Sequence, residues 1–276
     1  MRVRVDLDTV TRASLRAEEV VSMARPWQNT QQHTQQHAQQ HTQDAPGPRH
    51  AAPQERGTPD AAERRALDGL EDGRVSVRLS AALALGTRPE PHHVDTLIAR
   101  CAVEPEFFVR DMLTWALTRH PASRTLPGLL RAVREGHTRA RSQALHTLSK
   151  IGDRQAWPAI TRALLCDADD EVARSAWRAA VVLVPEGEEP ALAATLATRL
   201  GRGGRKTQLS LSRALVALGA AALPALRSAA ALPDARVRAH ALATQWLLRD
   251  PDAGFEPAIE EAKRIVALGG HEHQEK

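Results

Sequence analysis

Aromatic residues are scarce in this 276-residue chain, which has five Trp, three Phe and no Tyr. Strands of all-β proteins use aromatic and β-branched side chains to cover their pleated faces, so the scarcity argues against an all-β fold. It also weakens the case for a protein that stacks nucleic-acid bases on aromatic side chains.

Cysteines and long apolar runs are also rare. Cys101 and Cys166 form no CxxC pair, so the sequence predicts neither a disulfide framework nor a zinc site. The first ten residues carry acids where a signal peptide would be apolar, and no run approaches the roughly 18 apolar residues of a membrane span. We therefore expect a cytoplasmic protein with no membrane partner.

Lysine is the scarce cation, with four lysines against 33 arginines. The formal charge of +4, from 37 basic and 33 acidic residues, is modest for this length. Heavy use of Arg beside abundant Ala is typical of a GC-rich coding sequence. The arginines alone are therefore weak evidence for nucleic-acid binding.

The chain divides into unequal parts. Residues 1–27 form a short segment, in which Val10–Arg25 has a helical pattern too short to stand without packing. Residues 28–59 contain a Gln/His tract followed by a Pro-rich stretch, which predicts a disordered linker. From about residue 60 to 270 the apolar residues follow a helical period, and 271–276 form a tail.

The Gln/His tract places His33, His37 and His41 four residues apart. On a helix these imidazoles would share one face and could hold a transition metal. Such a stripe also arises by repeat expansion, and it has no second shell of supporting groups. We expect a solvated tract and no metal site or cofactor.

A repeated line sets the architecture of residues 60–270. The first copy of this sequence pattern reads VRLSAALALG. The six copies are spaced 30 to 35 residues apart and start at Val77, Val109, Ala140, Val172, Thr207 and Val237. A second helical line precedes each copy, at Ala61–Leu70, His92–Ala102, Ser123–Arg134, Arg154–Leu165, Glu189–Leu200 and Ala221–Ala231. Each unit is thus a helical hairpin that must stack on its neighbours to bury its apolar face. A final helix, Glu256–Leu268, would cap the last unit.

The lines resemble the short HEAT-like repeats first named for phycobilisome-lyase proteins. The VR-x-x-A pattern, the preceding acids such as Asp169 and Asp234, and the segment Ile151-Gly152-Asp153 carry the resemblance over about residues 60–268. It implies an all-α solenoid of about six hairpins and leaves function open, because such repeats occur in scaffolds, regulators and a few enzymes. It also implies that the repeat arginines pair with turn acids and stabilise the stack; these are Arg78, Arg110, Arg141 and Arg238.

The second helix of each unit has a core stripe at offsets 0, 4, 5 and 8 from its first repeat residue, at about 100° per residue. Offsets 3, 6 and 10 point the opposite way, and the resemblance implies that this side lines a concave groove. Its most informative side chains are Met112, Trp115, Arg119, Gln143, His146, Lys150, Arg178, Arg213 and His240. The stripe carries cations and no acid, which predicts an acidic partner with an apolar anchor near Met112 and Trp115.

Two alternatives for the basic residues stay open. An Arg-rich chain places Arg on any wet face, so the stripe need not be a binding site. The loop Arg199–Lys206 has three glycines and four cations and could cradle a phosphate, but it lacks the order of a P-loop and follows a helix. A solvated turn is the simpler interpretation of this loop.

Enzymatic interpretations find little support. Cys101 and Cys166 lie in apolar helix stripes, where buried inert thiols are expected. The repeated His-Glu pairs of HEAT-like iron hydroxylases are missing, and no residue matches chromophore attachment. A HEAT-like DNA glycosylase would match only through Asp111, Trp115 and Arg119. We therefore predict a non-catalytic scaffold that binds a protein or peptide, with nucleic-acid binding as the alternative and no small-molecule substrate.

Overall fold

A computed structural model describes residues 59–271, and every regular element in that range is a helix. The chain is all-α with helices packed in repeats, which confirms the predicted fold class. The predicted segment 1–27, the linker 28–59 with His33, His37 and His41, and the tail 271–276 lie outside the described residues, apart from the end residues Pro59 and His271.

The helices alternate between the first and second members of hairpins. The first helices are α1 (Pro59–Gly69), α3 (His93–Val103), α5 (Ala122–Glu135), α7 (Arg162–Leu165), α9 (Glu189–Ala197) and α11 (Leu223–Ala230). The second helices are α2 (Val75–Thr87), α4 (Phe107–Thr118), α6 (Thr138–Ile151), α8 (Asp170–Leu183), α10 (Arg205–Ala217) and α12 (Ala235–Arg249), followed by the C-terminal helix α13 (Phe255–His271). All six predicted second helices and the predicted final helix are confirmed.

Within the described residues, the contacts between helices define two compact units, residues 59–81 and 82–271. In the described part of the first unit, α1 and the beginning of α2 form a hairpin with Leu70 fully buried between them. The Asp72 carboxylate accepts a hydrogen bond from the Arg74 backbone N–H at 2.8 Å. The Arg74 guanidinium beside it lowers the pKa of Asp72 to about 2. The turn is thus held by a charged pair next to the helix start.

In the second unit, each second helix packs against the next one along the chain. Contacts run from α4 to α6, α8, α10 and α12, and α13 then packs against α12. One apolar core continues from Leu126 to Ala241, and a smaller cluster joins α12 to α13 around Phe255 and Ile259. This stacking buries the apolar face that a single hairpin would leave in water.

The first helix of the fourth unit differs from its prediction. Instead of one helix over Arg154–Leu165, the chain forms a 3₁₀ helix at Arg154–Ala159 and then the four-residue α7. Pro158 has no backbone N–H to continue an α-helix. Ile160 leaves the helical region, and the Thr161 hydroxyl then accepts the Leu164 N–H at 3.4 Å to begin α7.

The repeat arginines bind backbone carbonyls of the preceding turn. Arg110 Nη1 donates to the Glu104 carbonyl at 3.0 Å and to the Pro105 carbonyl at 2.5 Å. Arg78 and Arg238 do the same: Nη1 of each donates to two carbonyls, those of the residues five and six positions before it. Arg141 also forms an ion pair with Asp167, a turn acid of the next unit, at 3.8 Å. Carbonyls at the end of a helix carry partial negative charge, so a guanidinium suits them as well as it suits a carboxylate.

This contact predicts a stability difference between two Arg→Ala variants. Arg110→Ala is expected to lower the free energy of unfolding by about 2 kcal/mol, because two half-buried carbonyls lose a charged donor. Arg131→Ala breaks only the exposed pair with Asp95 at 3.4 Å and should lower it by less than about 1 kcal/mol. Urea unfolding of both variants tests the difference, and equal losses would refute the role given to Arg110.

Within the part of the chain that the structure describes, no single helix is long and apolar enough to cross a membrane. One bent pair, Arg205–Ala217 with Gly219–Ala230, meets the length and composition criteria only when its two helices are taken together.

Candidate functional site

The nine side chains predicted for the groove fall into three classes of exposure. Arg119, Arg178 and Arg213 are exposed to solvent. Four are partly buried: Trp115, Gln143, His146 and Lys150. Met112 and His240 are buried, with exposed fractions of 6% and 1%. Seven of the nine therefore present surface, and two belong to the interior.

Trp115 is packed on one side and open on the other. The Trp115 ring fills the space beside Gly86 of α2 that a side chain at position 86 would need. A Cβ at Gly86 would lie against Trp115 Cζ3 and 2.9 Å from the Ala116 Cα. The Arg119 guanidinium lies over the exposed side of the ring, 5.9 Å from its centroid. A cation over an indole face is attractive, so Arg119 and Trp115 form one preorganised pair.

Basic side chains from three successive second helices lie close together in the middle of the second unit. His146 and Lys150 come from α6, Arg178 from α8 and Arg110 from α4. Burial is the main reason that the pKa of Lys150 is lowered, and Arg178 lowers it further while the Asp111 carboxylate acts in the opposite direction. Desolvation and then Arg174 likewise lower the pKa of Arg178, against the effect of Glu171. His146 and Lys150 are thus poorly solvated, and the group has an excess of positive charge.

His146 shares this environment and is held neutral. Burial, followed by the charges of Arg178, Lys150 and Arg110, lowers its pKa to about 3. Its Nδ1 is buried and has no hydrogen-bond partner among the described residues. His146 thus contributes an imidazole without charge to the basic face.

Acids border the basic face more closely than the sequence predicts. Asp111 on α4 acts on Lys150, and Glu171 at the start of α8 acts on Arg178. Glu171 also pairs with Arg174 and lies 3.9 Å from Lys206. The outward stripe itself carries no acid, but the adjoining positions of the same helices do. The positive potential is therefore confined to the exposed cations.

Polar side chains join neighbouring second helices beneath this surface. Gln143 Nε2 donates to the Thr114 hydroxyl at 3.2 Å, which links α6 to α4. Ser142 and Ser175 lie 3.0 Å apart and link α6 to α8, and Arg178 Nη2 donates to the Ser175 hydroxyl at 3.1 Å. The Gln143 amide is therefore engaged in the stack, and Arg178 is held in place from below.

His240 is a structural histidine, which corrects its assignment to the groove. Its Nδ1 accepts the Gly201 N–H at 3.0 Å, so its proton is on Nε2. Nε2 faces the Gln208 carbonyl at 3.1 Å and the Ser212 hydroxyl at 3.0 Å. Met112 is corrected in the same sense, since it packs in the interior between helices. Neither side chain can serve as an exposed anchor.

The basic loop Arg199–Lys206 is occupied by contacts within the protein. Arg205 pairs with Glu256 at 2.8 Å and with Glu260 at 2.6 Å, and its guanidinium lies over the Phe255 ring. Lys206 lies 3.9 Å from Glu171. The Arg205 contacts tie the start of α10 to α13 and the Lys206 contact ties it to α8, which favours the solvated turn over the phosphate cradle.

The structure gives no advantage to the enzymatic interpretations. Burial raises the pKa of the Cys101 thiol to about 12, so this thiol is a poor nucleophile. Asp111 interacts with the charge of Lys150, and Trp115 covers Gly86. Two of the three residues that matched a DNA glycosylase are thus committed to neighbouring side chains.

Comparison with known proteins supports the repeat assignment. Residues 94–181, which span α3 to most of α8, match the family model described as HEAT repeats. No protein with a curated description matches the sequence. Two solved structures are similar to this chain. One is an engineered protein with 18% identity and a TM-score of 0.41, and the match covers 76% of this chain and 97% of that one. The other is the complex of CpcE and CpcF of phycocyanin lyase from Nostoc sp. PCC7120, with 22% identity and a TM-score of 0.41, and the match covers 83% of this chain and 93% of that one.

Proposed function

Since residues 94–181 match the family model of HEAT repeats, we propose that this chain is a non-catalytic scaffold that binds an acidic protein or peptide along the exposed face of its second helices. HEAT-repeat proteins typically serve as scaffolds, and a stack of hairpins offers a long continuous surface. The proposal places the protein in the cytosol, because two widely separated cysteines suit a reducing compartment.

One observation carries this proposal. Successive second helices each contribute a cation to the exposed face, and these are Arg119, Lys150, Arg178 and Arg213. Among the described residues, the three arginines form no ion pair with a carboxylate, whereas Arg205 and Lys206 of the loop 199–206 do. A row of cations on one face, with no acid at the same positions of these helices, favours an anionic partner.

The middle of the row should contribute most to affinity. Lys150 and Arg178 repel each other, and both are partly desolvated. A carboxylate of the partner placed between them would relieve the repulsion and gain charge-assisted hydrogen bonds. The Trp115–Arg119 pair would then receive an apolar side chain of the partner at one end of the row.

Charge reversal tests this face. Arg178→Glu combined with Arg213→Glu is expected to weaken binding of a short glutamate-rich peptide containing one leucine by at least about 10-fold, since each reversal turns attraction into repulsion. Arg124→Glu combined with Arg162→Glu changes the net charge equally on first helices and serves as the matched control. Fluorescence anisotropy with a labelled peptide measures both affinities.

The outcomes separate the candidates. Equal loss in both double variants would show attraction to net charge alone and would overturn the assigned face, as would unchanged affinity in the first variant. Duplex DNA is measured in parallel at two salt concentrations. A duplex that binds more tightly than the peptide, with affinity falling steeply as salt rises, would replace the protein partner with a nucleic acid.

A further inference from the structure

An apolar patch stands exposed on the second unit. It consists of Val103, Phe107 and Phe108, with exposed fractions of 55%, 59% and 56%. The two rings meet edge to face with their centroids 5.5 Å apart. The chain has only three Phe residues, so two of them lie together in water. We call these three residues the Phe patch.

The Phe patch has no role in the repeat. Phe107 and Phe108 occupy the two positions before the first repeat residue, at the start of α4. The equivalent positions of the later units hold Thr138-Arg139, Asp170-Glu171, Arg205-Lys206 and Ala235-Arg236. Those pairs are mostly polar and solvated, as the start of a helix requires. Two adjacent phenylalanines at this position therefore need a reason outside the stack.

The turn beneath the patch is rigid. The Glu104 carboxylate is fully buried, accepts the Glu106 N–H at 2.9 Å and pairs with Arg100 at 2.7 Å. Arg110 binds the carbonyls of the same turn. The rings are thus presented from a fixed backbone, which reduces the entropy lost when a partner covers them.

Two exposed charges of opposite sign lie beside the patch. Glu106 directly precedes Phe107 and is exposed. Arg139 is exposed as well, and its Nη1 lies 3.5 Å from the Val103 and Glu104 carbonyls on the other side of the turn. A partner of one charge sign would be repelled at one of these two positions. A second copy, related by a two-fold axis, presents Arg139 to Glu106 and Glu106 to Arg139.

We propose that the Phe patch is an isologous contact between two copies of this chain. Phe107 and Phe108 of one copy stack on those of the other, and two symmetric Glu106–Arg139 pairs flank the rings. Three residues at these exposed fractions offer on the order of 300 Å² per copy, which is below the roughly 800 Å² per partner of a standard interface. The dimer is therefore weak, with a dissociation constant of about 10 μM or more.

Sedimentation velocity of the full chain, from about 1 μM to about 500 μM, tests the association across the range of weak complexes. We expect a concentration-dependent shift from monomer to dimer. Phe107→Asp with Phe108→Asp should weaken the dimer by at least about 30-fold, as loss of a central aromatic anchor does. Acids are favourable in the first turn of a helix, so this variant should keep its helical circular dichroism. Leu232→Asp, at another exposed apolar position, is the matched control and should change nothing.

A charge swap gives an independent test that leaves the rings in place. Glu106→Arg and Arg139→Glu should each weaken the dimer by about 5-fold, because each alone sets like charges against each other. The double variant restores both pairs and should return to the affinity of the parent. A protein that is monomeric at every concentration would overturn the proposal. So would a dimer insensitive to the Phe107 and Phe108 changes, or a double variant no better than the singles.

Discussion

Replacing Trp177 by alanine is expected to lower the free energy of unfolding by about 4 kcal/mol, the largest effect of any single substitution considered for this chain. Trp177 is on α8 in the middle of the continuous core, and only 1% of its surface is exposed. Its indole Nε1 donates to the Leu165 carbonyl at 2.8 Å. Truncation would leave a large cavity and, in addition, a buried carbonyl without its donor.

The position of Trp177 explains why the loss should be so large. Leu165 is the last residue of α7, which has only four residues and follows the 3₁₀ helix broken at Pro158. A helix of one turn has no stability of its own, because nucleation is unfavourable. The ring and hydrogen bond of Trp177 therefore hold the first helix of the fourth unit on the stack.

Two companion variants make the result specific. Trp177→Phe retains most of the ring and removes the donor, so it should lower the free energy of unfolding by about 2 kcal/mol. Trp246→Ala removes a partly buried indole from α12 and should have a smaller effect than Trp177→Ala. Guanidinium unfolding followed by circular dichroism measures all three. A loss of less than about 1 kcal/mol in Trp177→Ala would contradict the role given to this residue.

The repeat and the core stripe could be predicted because they depend on periodicity alone. Offsets 0, 4, 5 and 8 are buried in α4, α6 and α8, with examples in Val109, Leu145 and Trp177. Each of these side chains faces the first helix of its own unit, and a single sequence contains that information. The same reasoning misses the break at Pro158. The helical pattern of apolar residues continues past this position, but the α-helical backbone does not, because Pro158 has no N–H.

The groove could be predicted only in part because a second helix has neighbours on three sides. Phasing one helix identifies the side that faces its own first helix, but not the sides that touch the second helices before and after it. Offset 3 lies on such a side: Met112 and His240 are buried there. Gln143 and Ser175 at the same offset bond across to the neighbouring helices. In α8 and α10 offset 6 points away from the stack, and the exposed Arg178 and Arg213 are at that offset, whereas in α12 Ala243 at offset 6 is buried beneath α13.

The burial of His240 leads to a second large effect, which depends on pH. Burial lowers the pKa of His240 from its ordinary value of 6.5 to about 4, although the Gln208 carbonyl acts in the opposite direction. Protonation would place a hydrogen on Nδ1, against the Gly201 N–H that Nδ1 now accepts. A Cβ at Gly201 would lie 2.9 Å from the Val237 nitrogen, so the backbone of Gly201 is closely packed against α12. The folded state therefore resists a proton that the unfolded chain accepts.

The sign of the effect follows from this difference in proton uptake. Above pH 6.5 His240 is neutral in both states and its titration does not affect stability. As the pH falls from about 6.5 to about 4, the unfolded state gains a proton first, so the free energy of unfolding falls. A shift of this size corresponds to about 3 kcal/mol once the pH is below both values. His146, with its pKa lowered to about 3, adds a loss in the same direction.

His240→Gln isolates the contribution of His240. Near neutral pH the variant should be less stable than the parent by about 1 to 3 kcal/mol, because Gln replaces the imidazole hydrogen bonds imperfectly. Toward pH 4 this difference should shrink or reverse, because glutamine takes up no proton in either state and the parent loses stability faster. Urea unfolding from pH 7.5 to pH 4 follows both curves, with His137→Gln, an exposed substitution at the start of α6, as the control. If the free energies of unfolding of the parent and of His240→Gln change with pH in parallel, His240 takes up its proton equally in the folded and unfolded chain. That result would contradict the assignment of His240 as a buried neutral histidine.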